Sequence, residues 1–347
     1  MGLDIPPDAL AGGLSVYQQH LVMLGKAMFT DKQIVILDNI SRKYSEKEVQ
    51  DFGHVLRRVA AGGMTFLCLF YHLDGLCRYL DRVTVLYQGI TTKVLDPQLV
   101  HRTQLSRIMT GQADNPPQAH NAQDDEVLLR VQNLRVRGRG EAINFFIRKG
   151  ETVALVDEDE TCGNAVAGIL SGMDTTAYES GELLLHNHPL RVNSRADAIK
   201  LGIAYLPEDA SRRGLCLNMD LQENLLVGVS PVLPKQFGDI KKRVARFIYQ
   251  EFQRQLLRNE GRTASDQMEE LDDITRFAAL FYKWRLINPS LFIMMNPSAY
   301  NDEVTREYIF RQISALNADG IAVLITTKNV YDVQNLCNYV VHIQSCM

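Results

Sequence analysis

Between Glu151 and Ala165 the chain reads Glu-Thr-Val-Ala-Leu-Val-Asp-Glu-Asp-Glu-Thr-Cys-Gly-Asn-Ala, and here its spacing comes nearest to chemistry. An apolar strand at Thr152 to Val156, a tight loop and a helix through Val166, Ile169 and Leu170 form the architecture of a phosphate-binding loop. A working loop uses glycines to bring backbone N–H groups to phosphate, a Lys to neutralise charge and a Ser or Thr to hold Mg²⁺. Here the loop offers Asp157, Glu158, Asp159 and Glu160, and Cys162, Gly163 and Asn164 stand where Gly-Lys-Ser/Thr would fall. One carboxylate about 5 Å from a phosphate costs roughly 3 kcal/mol at an effective dielectric near 20. At the N-terminus of the following helix the same acids are favoured, so Asp157 to Glu160 are expected to cap it.

The elements that position this loop belong to a chain of 347 residues, long enough for about two domains with a core each. An apolar fraction of 46%, a charged fraction of 22% and a net charge of −4 are ordinary for an α/β protein and argue against nucleic acid or an anionic membrane as partner. The basic stretches Arg135–Arg139 and Lys241–Arg243 are short and read as solvated surface. The six cysteines form no C-x-x-C pair and no Cys/His cluster of zinc spacing, which points to a reduced, cytoplasmic protein without a metal site. No signal peptide and no apolar run of membrane-span length is visible, so direct membrane insertion is not expected.

From Leu14 the pattern is regular. Ser15 caps a helix with the face Val16, Leu21, Leu24 and Met28, and Gln33–Asp38 is a strand ending on a carboxylate. Ser45 to Glu48 form a capping box opening a helix to about Ala61, followed by a strand from Met64 to Phe70. A short helix around Leu73–Leu80 precedes strands at Arg82–Tyr87 and Ile90–Val94. This alternation predicts a parallel sheet covered on both faces. Gln112 to Asp125, with Pro116-Pro117, reads as a linker.

Beyond it, strands are expected at Leu128–Val131, Ile143–Ile147, Gly181–Leu185 and Ile203–Leu206, with helices at Ala196–Lys200 and 236–258. Helix Leu271–Trp284, strand Leu291–Met295, helix Asp302–Leu316, strand Ala322–Thr326 and strand Tyr339–Ile343 then repeat the order of residues 14–87. The first copy holds only the later half of the unit.

Several motifs make the chain resemble the duplicated ATP-binding-cassette (ABC) subunit of bacterial sugar importers, of the ribose/galactoside/xylose type. These are Tyr205-Leu-Pro-Glu-Asp209 with Arg212-Arg-Gly-Leu215 and Gln222-Glu-Asn-Leu225, and Gly2-Leu-Asp-Ile5 with Leu14-Ser-Val-Tyr-Gln-Gln19. Asp81–Leu86 and Lys283-Trp284 add to them. The resemblance covers nearly the whole chain. It implies an α/β fold of the P-loop NTPase-like cassette type: the C-terminal half of a first cassette at 1–111, a linker at 112–125 and a near-complete second cassette at 126–347.

The family's functional positions can be followed onto this sequence. The first signature motif matches at Ser15, Tyr17 and Gln18, with Tyr17 where a glycine lets backbone approach the γ-phosphate. Asp38 matches the Walker B aspartate, Asn39 stands in place of the Glu that polarises water, and His72 matches the switch histidine. An amide is a poor base. The second signature carries Asp272 and Asp273, the second Walker B ends on Met294-Met295-Asn296, and Thr327-Lys328-Asn329 stands near the second switch. Glu208 occupies the Q-loop position, which in the family touches both nucleotide and transmembrane partner.

Each ATP site of the family is composite. One would need a first Walker A, and no G-x-x-x-x-G-K-[ST] occurs in the chain; the other would need the acidic 157–164 loop. The expectation is therefore a degenerate, non-hydrolysing subunit with no bound cofactor, although MgATP serves the family. It would act through an ABC permease, a companion cassette or a regulator, as a homo- or hetero-oligomer at the inner face of the plasma membrane. The alternative is an ATP-hydrolysing importer subunit whose upstream half is missing from the sequence. A first unit beginning at its signature helix also predicts an exposed sheet edge.

Overall fold

The computed structural model describes residues 5–30, 32–70, 75–87, 90–97, 126–138, 142–157, 161–236, 239–240, 242–256, 263–297, 299, 301–328, 333, 336 to 343. The expected linker, His72, Glu160 and Asn329 lie outside them. The chain divides into two compact units, Met1–Pro116 with Ala299–Val304 and Pro117–Ser298 with Thr305–Met347.

In the first unit, α1 (Val16–Phe29) starts on a reciprocal capping box: Ser15 Oγ accepts from Gln18 N at 3.2 Å and Gln18 Oε1 accepts from Ser15 N at 3.0 Å. Strand β1 (Ile34–Asp38) follows, then α2 (Glu46–Ala61), opened by the matching box of Ser45 and Glu48. Strand β2 (Thr65–Leu69) lies parallel to β1, and β3 (Val83–Tyr87) and β4 (Ile90–Leu95) form an antiparallel hairpin. Leu21, Leu24, Tyr44, Val49, Phe52, Leu56 and Leu76 make the core, closed on one side by Val49 and Phe52 of α2. The close approach of α2 to the turn at Gly75–Tyr79 needs glycine, since a Cβ on Gly53 would stand 2.3 Å from the Tyr79 ring.

Three expectations for this unit are corrected. Val16 and Met28 are exposed, leaving Leu21 and Leu24 as the buried face of α1. The short helix expected at Leu73–Leu80 is a 3₁₀ segment at Gly75–Tyr79, too brief to propagate α-helical bonds. The single parallel sheet is instead two separate two-stranded pieces among the described residues, and β1 and β2 have one uncovered face.

The second unit begins with β5 (Val127–Val136), β6 (Ile143–Arg148) and β7 (Thr152–Asp157), then α3 (Thr161–Ser171), β8 (Tyr178–Leu185) and β9 (His188–Pro189). Helix α4 (Arg195–Lys200), β10 (Ile203–Leu206), α5 (Ala210–Arg213) and α6 (Leu221–Leu226) follow, then the small hairpin β11 (Lys235–Gln236) and β12 (Asp239–Ile240). Next come α7 (Lys242–Leu256), α8 (Asp273–Arg285), β13 (Leu291–Met295), α9 (Glu303–Ala318), β14 (Ala322–Thr327) and β15 (Tyr339–Ile343). The helix expected over 236–258 is thus shorter at its start, because residues 235–240 pair as a hairpin.

A five-stranded parallel sheet in the order β10-β13-β14-β7-β15 forms the centre, and every residue of β7 and β14 is buried. Alternation along each strand feeds two cores. Val153, Leu155, Leu291, Ile293 and Leu324 face α3 and the antiparallel sheet β6-β5-β8-β9. Ala154, Val156, Phe292, Met294 and Ile325 face the helical side, where Phe252, Phe281, Trp284 and Ile313 pack. Removing one such side chain to Ala costs about 2–5 kcal/mol, so the sheet and its helices stand or fall together. Gly172 ends α3 at φ 71°, where a Cβ would lie 2.4 Å from the Ser194 carbonyl oxygen.

Candidate functional site

Strand β7 delivers Asp157 to the head of α3. Its carboxyl is 2% exposed, and Oδ2 accepts the Gly163 N–H at 2.9 Å. The acid therefore lies on one of the N–H groups that a phosphate-binding loop offers to its anion. Gly163 packs closely: a Cβ there would stand 3.5 Å from Thr326 Cβ and 3.6 Å from Asp157 Cβ. Cys162 is buried in the first turn of α3 and in no disulfide, and Asn164 is half-buried.

At the end of β13, Asn296 is buried with φ 43°, and its N–H donates to the Thr326 carbonyl at 2.8 Å. Asn296 Nδ2 donates to Glu208 Oε1 at 3.5 Å, so the residues expected at the Walker B end and at the Q-loop position are brought together. Beside them Tyr205 OH donates to Met295 Sδ at 2.8 Å, and burial raises the Tyr205 phenol above its ordinary value. Arg195 lies over both the Tyr205 ring, at 5.5 Å, and the Trp284 ring, at 5.2 Å. Lys283 is buried beside Trp284, its Nζ 5.8 Å from that ring and donating to the Gly214 carbonyl at 3.1 Å. Burial first, then Arg195, lowers the Lys283 ammonium to about 8.

Of the acids expected at the second signature, Asp272 caps a helix and Asp273 pairs with a side chain. Asp272 is the N-cap of α8, accepting from Thr275 N at 2.9 Å and Thr275 Oγ1 at 2.8 Å, and Asp273 pairs with Arg276 at 3.4 Å. Thr327 is buried at the end of β14, next to the half-buried Lys328.

In the first unit Ser15 and Gln18 are likewise occupied in capping. Tyr17 packs edge-on against Tyr44 at 5.2 Å and Phe52 at 6.3 Å, and burial raises its phenol. Asp38 is exposed at the end of β1. The buried Asn39 has φ 48°, and its N–H donates to the Leu69 carbonyl at 2.9 Å.

The sequence reading named Asp157, Asn296 and Glu208 separately and missed the Asn296–Glu208 contact. It also missed the layer of Arg195, Tyr205, Trp284 and Lys283. Lys283 within the otherwise apolar run Phe277–Trp284 is the sequence signal for that layer.

The two cores around a parallel sheet with β7 running into α3 give the second unit the P-loop NTPase-like fold of ATP-binding cassettes. Solved cassettes agree. The cbiO1 protein of Clostridium perfringens, described as part of the transporter complex cbiONQ, superposes with a TM-score of 0.52 at 16% identity. That match covers 63% of this chain and 86% of the other. A model of ribosome-bound archaeal Pelota and ABCE1 matches with a TM-score of 0.67 at 16% identity, over 98% of this chain and 55% of that one.

In sequence, the chain is similar to the ATP-binding proteins of bacterial sugar importers. It is 27% identical over 339 residues to the ribose import ATP-binding protein RbsA 3 of Rubrobacter xylanophilus, covering 97% of this chain and 67% of the relative. It is 28% identical over 347 residues to RbsA of Rhodococcus jostii, covering 98% and 67%. A putative ribose/galactose/methyl galactoside import ATP-binding protein of Burkholderia cenocepacia is 26% identical over 336 residues, covering 95% and 64%. The chain thus spans about two thirds of the length of these relatives. No protein-family model matches.

These relatives correct one expectation from the sequence, that no cofactor is involved: proteins matching nearly all of the chain are ATP-binding by name. The described residues of the 157–164 loop nonetheless do not fit MgATP as they stand. A carboxylate holds the Gly163 N–H, residues 162–164 supply no cation, and β13 ends on Met295 and Asn296 where a metal-holding carboxylate is needed.

Proposed function

We propose that the chain is a degenerate ABC subunit of the sugar-import type that does not hydrolyse ATP with its own second-unit residues and acts through protein partners. ATP enters this reading as the ligand of its relatives; what the chain lacks is the chemistry of turnover. The observation that carries the reading is the Asp157–Gly163 bond at the head of α3, reinforced by Met295 and Asn296 at the end of β13. General-base and metal assistance need carboxylates at those positions. The partners would be an ABC permease, a companion cassette or a regulator, met at the inner face of the plasma membrane. Among the described residues no helix is long and apolar enough to cross a membrane, so contact with one falls to a partner. Glu208, tied to Asn296, is the residue proposed to couple to that partner.

A second reading is favoured by the names of the relatives: an ATP-binding subunit that couples hydrolysis to carbohydrate import. One assay separates the two. Phosphate release from MgATP by the purified full chain is expected to stay at the no-protein background. Release that rises in proportion to chain concentration and co-elutes with the chain supports the second reading and removes the first.

A further inference from the structure

Helix α7 (Lys242–Leu256) divides into two faces of opposite character. Ile248, Tyr249 and Phe252 are buried in the helical core, where Phe252 meets the Tyr282 ring edge-on at 5.3 Å. Tyr282 OH of α8 donates to the Ile248 carbonyl at 3.1 Å, which ties the two helices together. The outward face of α7 is therefore presented on a fixed support.

That face is a row of Arg243, Arg246, Phe247, Gln250 and Arg254, all exposed, at the i, i+3, i+4 and i+7 spacing that aligns side chains along a helix. It runs about 16 Å along the axis. Among the described residues Arg243 and Arg246 pair with no acid, and Glu251, half-buried at the edge of the row, pairs with Arg254 at 2.7 Å. Phe247 stands between the arginines, 60% exposed. A single exposed Phe is ordinary; a Phe set among arginines has the composition of a protein-docking surface, in which aromatic and Arg side chains are enriched. The charge is local, since the chain as a whole carries −4.

The row discriminates between occupants. An interfacial helix enters a membrane through a broad apolar face, and the side chains that would form one, Ile248, Tyr249 and Phe252, are committed to the core. Three arginines around one ring instead complement carboxylates placed around one apolar side chain.

We propose that the outward face of α7 docks an acidic segment of a partner protein, its carboxylates meeting Arg243, Arg246 and Arg254 and an apolar side chain covering Phe247. It rests on the proposed function only in that the chain acts through partners. Binding is read without nucleotide, so its failure is distinct from any result of the phosphate-release assay.

The probe is a synthetic helical peptide as long as α7, with Glu spaced to meet the three arginines and Leu set opposite Phe247. A scrambled peptide of the same composition and vesicles of equal phosphatidylcholine and phosphatidylserine are the comparisons. Anisotropy of the labelled peptides against the full chain at about 0.15 M salt is expected to show the scrambled one binding roughly tenfold more weakly. The double variant Arg243→Glu, Arg246→Glu should weaken the designed peptide by a further factor of about ten or more, and Phe247→Ala by about fivefold. All three positions are exposed, and unchanged thermal unfolding of the variants shows that the fold is kept. No binding at about 1 mM peptide, equal affinity for the scrambled peptide, or no effect of Phe247→Ala overturns the proposal. So does binding to the vesicles, lost in the double variant, without binding to the peptide, which assigns the face to an anionic membrane.

Discussion

Asn39 and Asn296 are structural equivalents: each follows the strand that would end a Walker B motif, each has positive φ, and each N–H donates to the last paired residue of the neighbouring strand. The acceptors are the carbonyls of Leu69 and Thr326, at 2.9 and 2.8 Å. A left-handed residue at a strand end favours Asn over Glu, because a short amide tolerates that conformation better than a longer side chain does. The position that in the family would carry the catalytic Glu is here filled by a residue suited to the backbone.

Asn296→Ala should therefore destabilise the second unit by about 1–2 kcal/mol, combining left-handed strain with loss of the amide contact to Glu208. Asn296→Gly should cost less, since glycine removes the strain and loses only the amide. Urea denaturation of the three proteins checks the order. Equal midpoints for Ala and Asn would contradict the backbone role.

Asp157→Ala removes a buried acceptor from the Gly163 N–H and a negative charge from the start of α3, for a loss of about 1–2 kcal/mol. Asp157→Asn keeps an acceptor oxygen and should recover part of it. Thermal unfolding followed by the Trp284 fluorescence of the second unit reads both changes.

Rebuilding the loop alone should not create an ATPase. Replacing residues 157–164 with a glycine-rich Gly-Lys-Ser loop leaves Met295 and Asn296 unable to hold Mg²⁺ or polarise water. Phosphate release is expected to remain at background; turnover by this variant would remove the site argument entirely.

Lys283 predicts a pH dependence of stability. Its folded-state value is lowered from 10.5 to about 8, so below pH 8 the fold carries a buried ammonium at a cost on the order of 3 kcal/mol. Between about 8 and 10.5 the folded protein has lost the proton that the unfolded chain keeps, so this contribution makes stability rise with pH. Lys283→Met should abolish that rise and be the more stable protein at pH 7. Wild-type minus variant unfolding free energies from pH 6 to 10.5 isolate the effect from the neighbouring Arg195 and Cys216. A difference that is flat across the range would refute it.

Most of the fold was legible because the apolar strands are long and their caps explicit. Ser15, Ser45 and Asp272 each open a helix where the sequence pattern places one. Of the loop's acids expected to cap α3, Asp157 does bond to its head. The split of the first unit's sheet was less legible, since periodicity reveals strands but not which of them meet. The left-handed turns at Asn39 and Asn296 carry no periodic signal at all. The Lys283 layer escaped notice because a cation beside Trp284 reads as the polar edge of a helix until Gly214 and Arg195 are brought alongside.

The placement of β7 between β14 and β15 has a consequence for synthesis. The strand that leads into the phosphate loop cannot be paired on both sides until residues 339–343 have been made. That is about 180 residues later, or roughly 10–40 s at ordinary elongation rates. Until then its aliphatic residues lack a partner on one side, which makes the β7–β15 edge the last part of the sheet to close, with an exposed strand edge for chaperones to bind in the meantime.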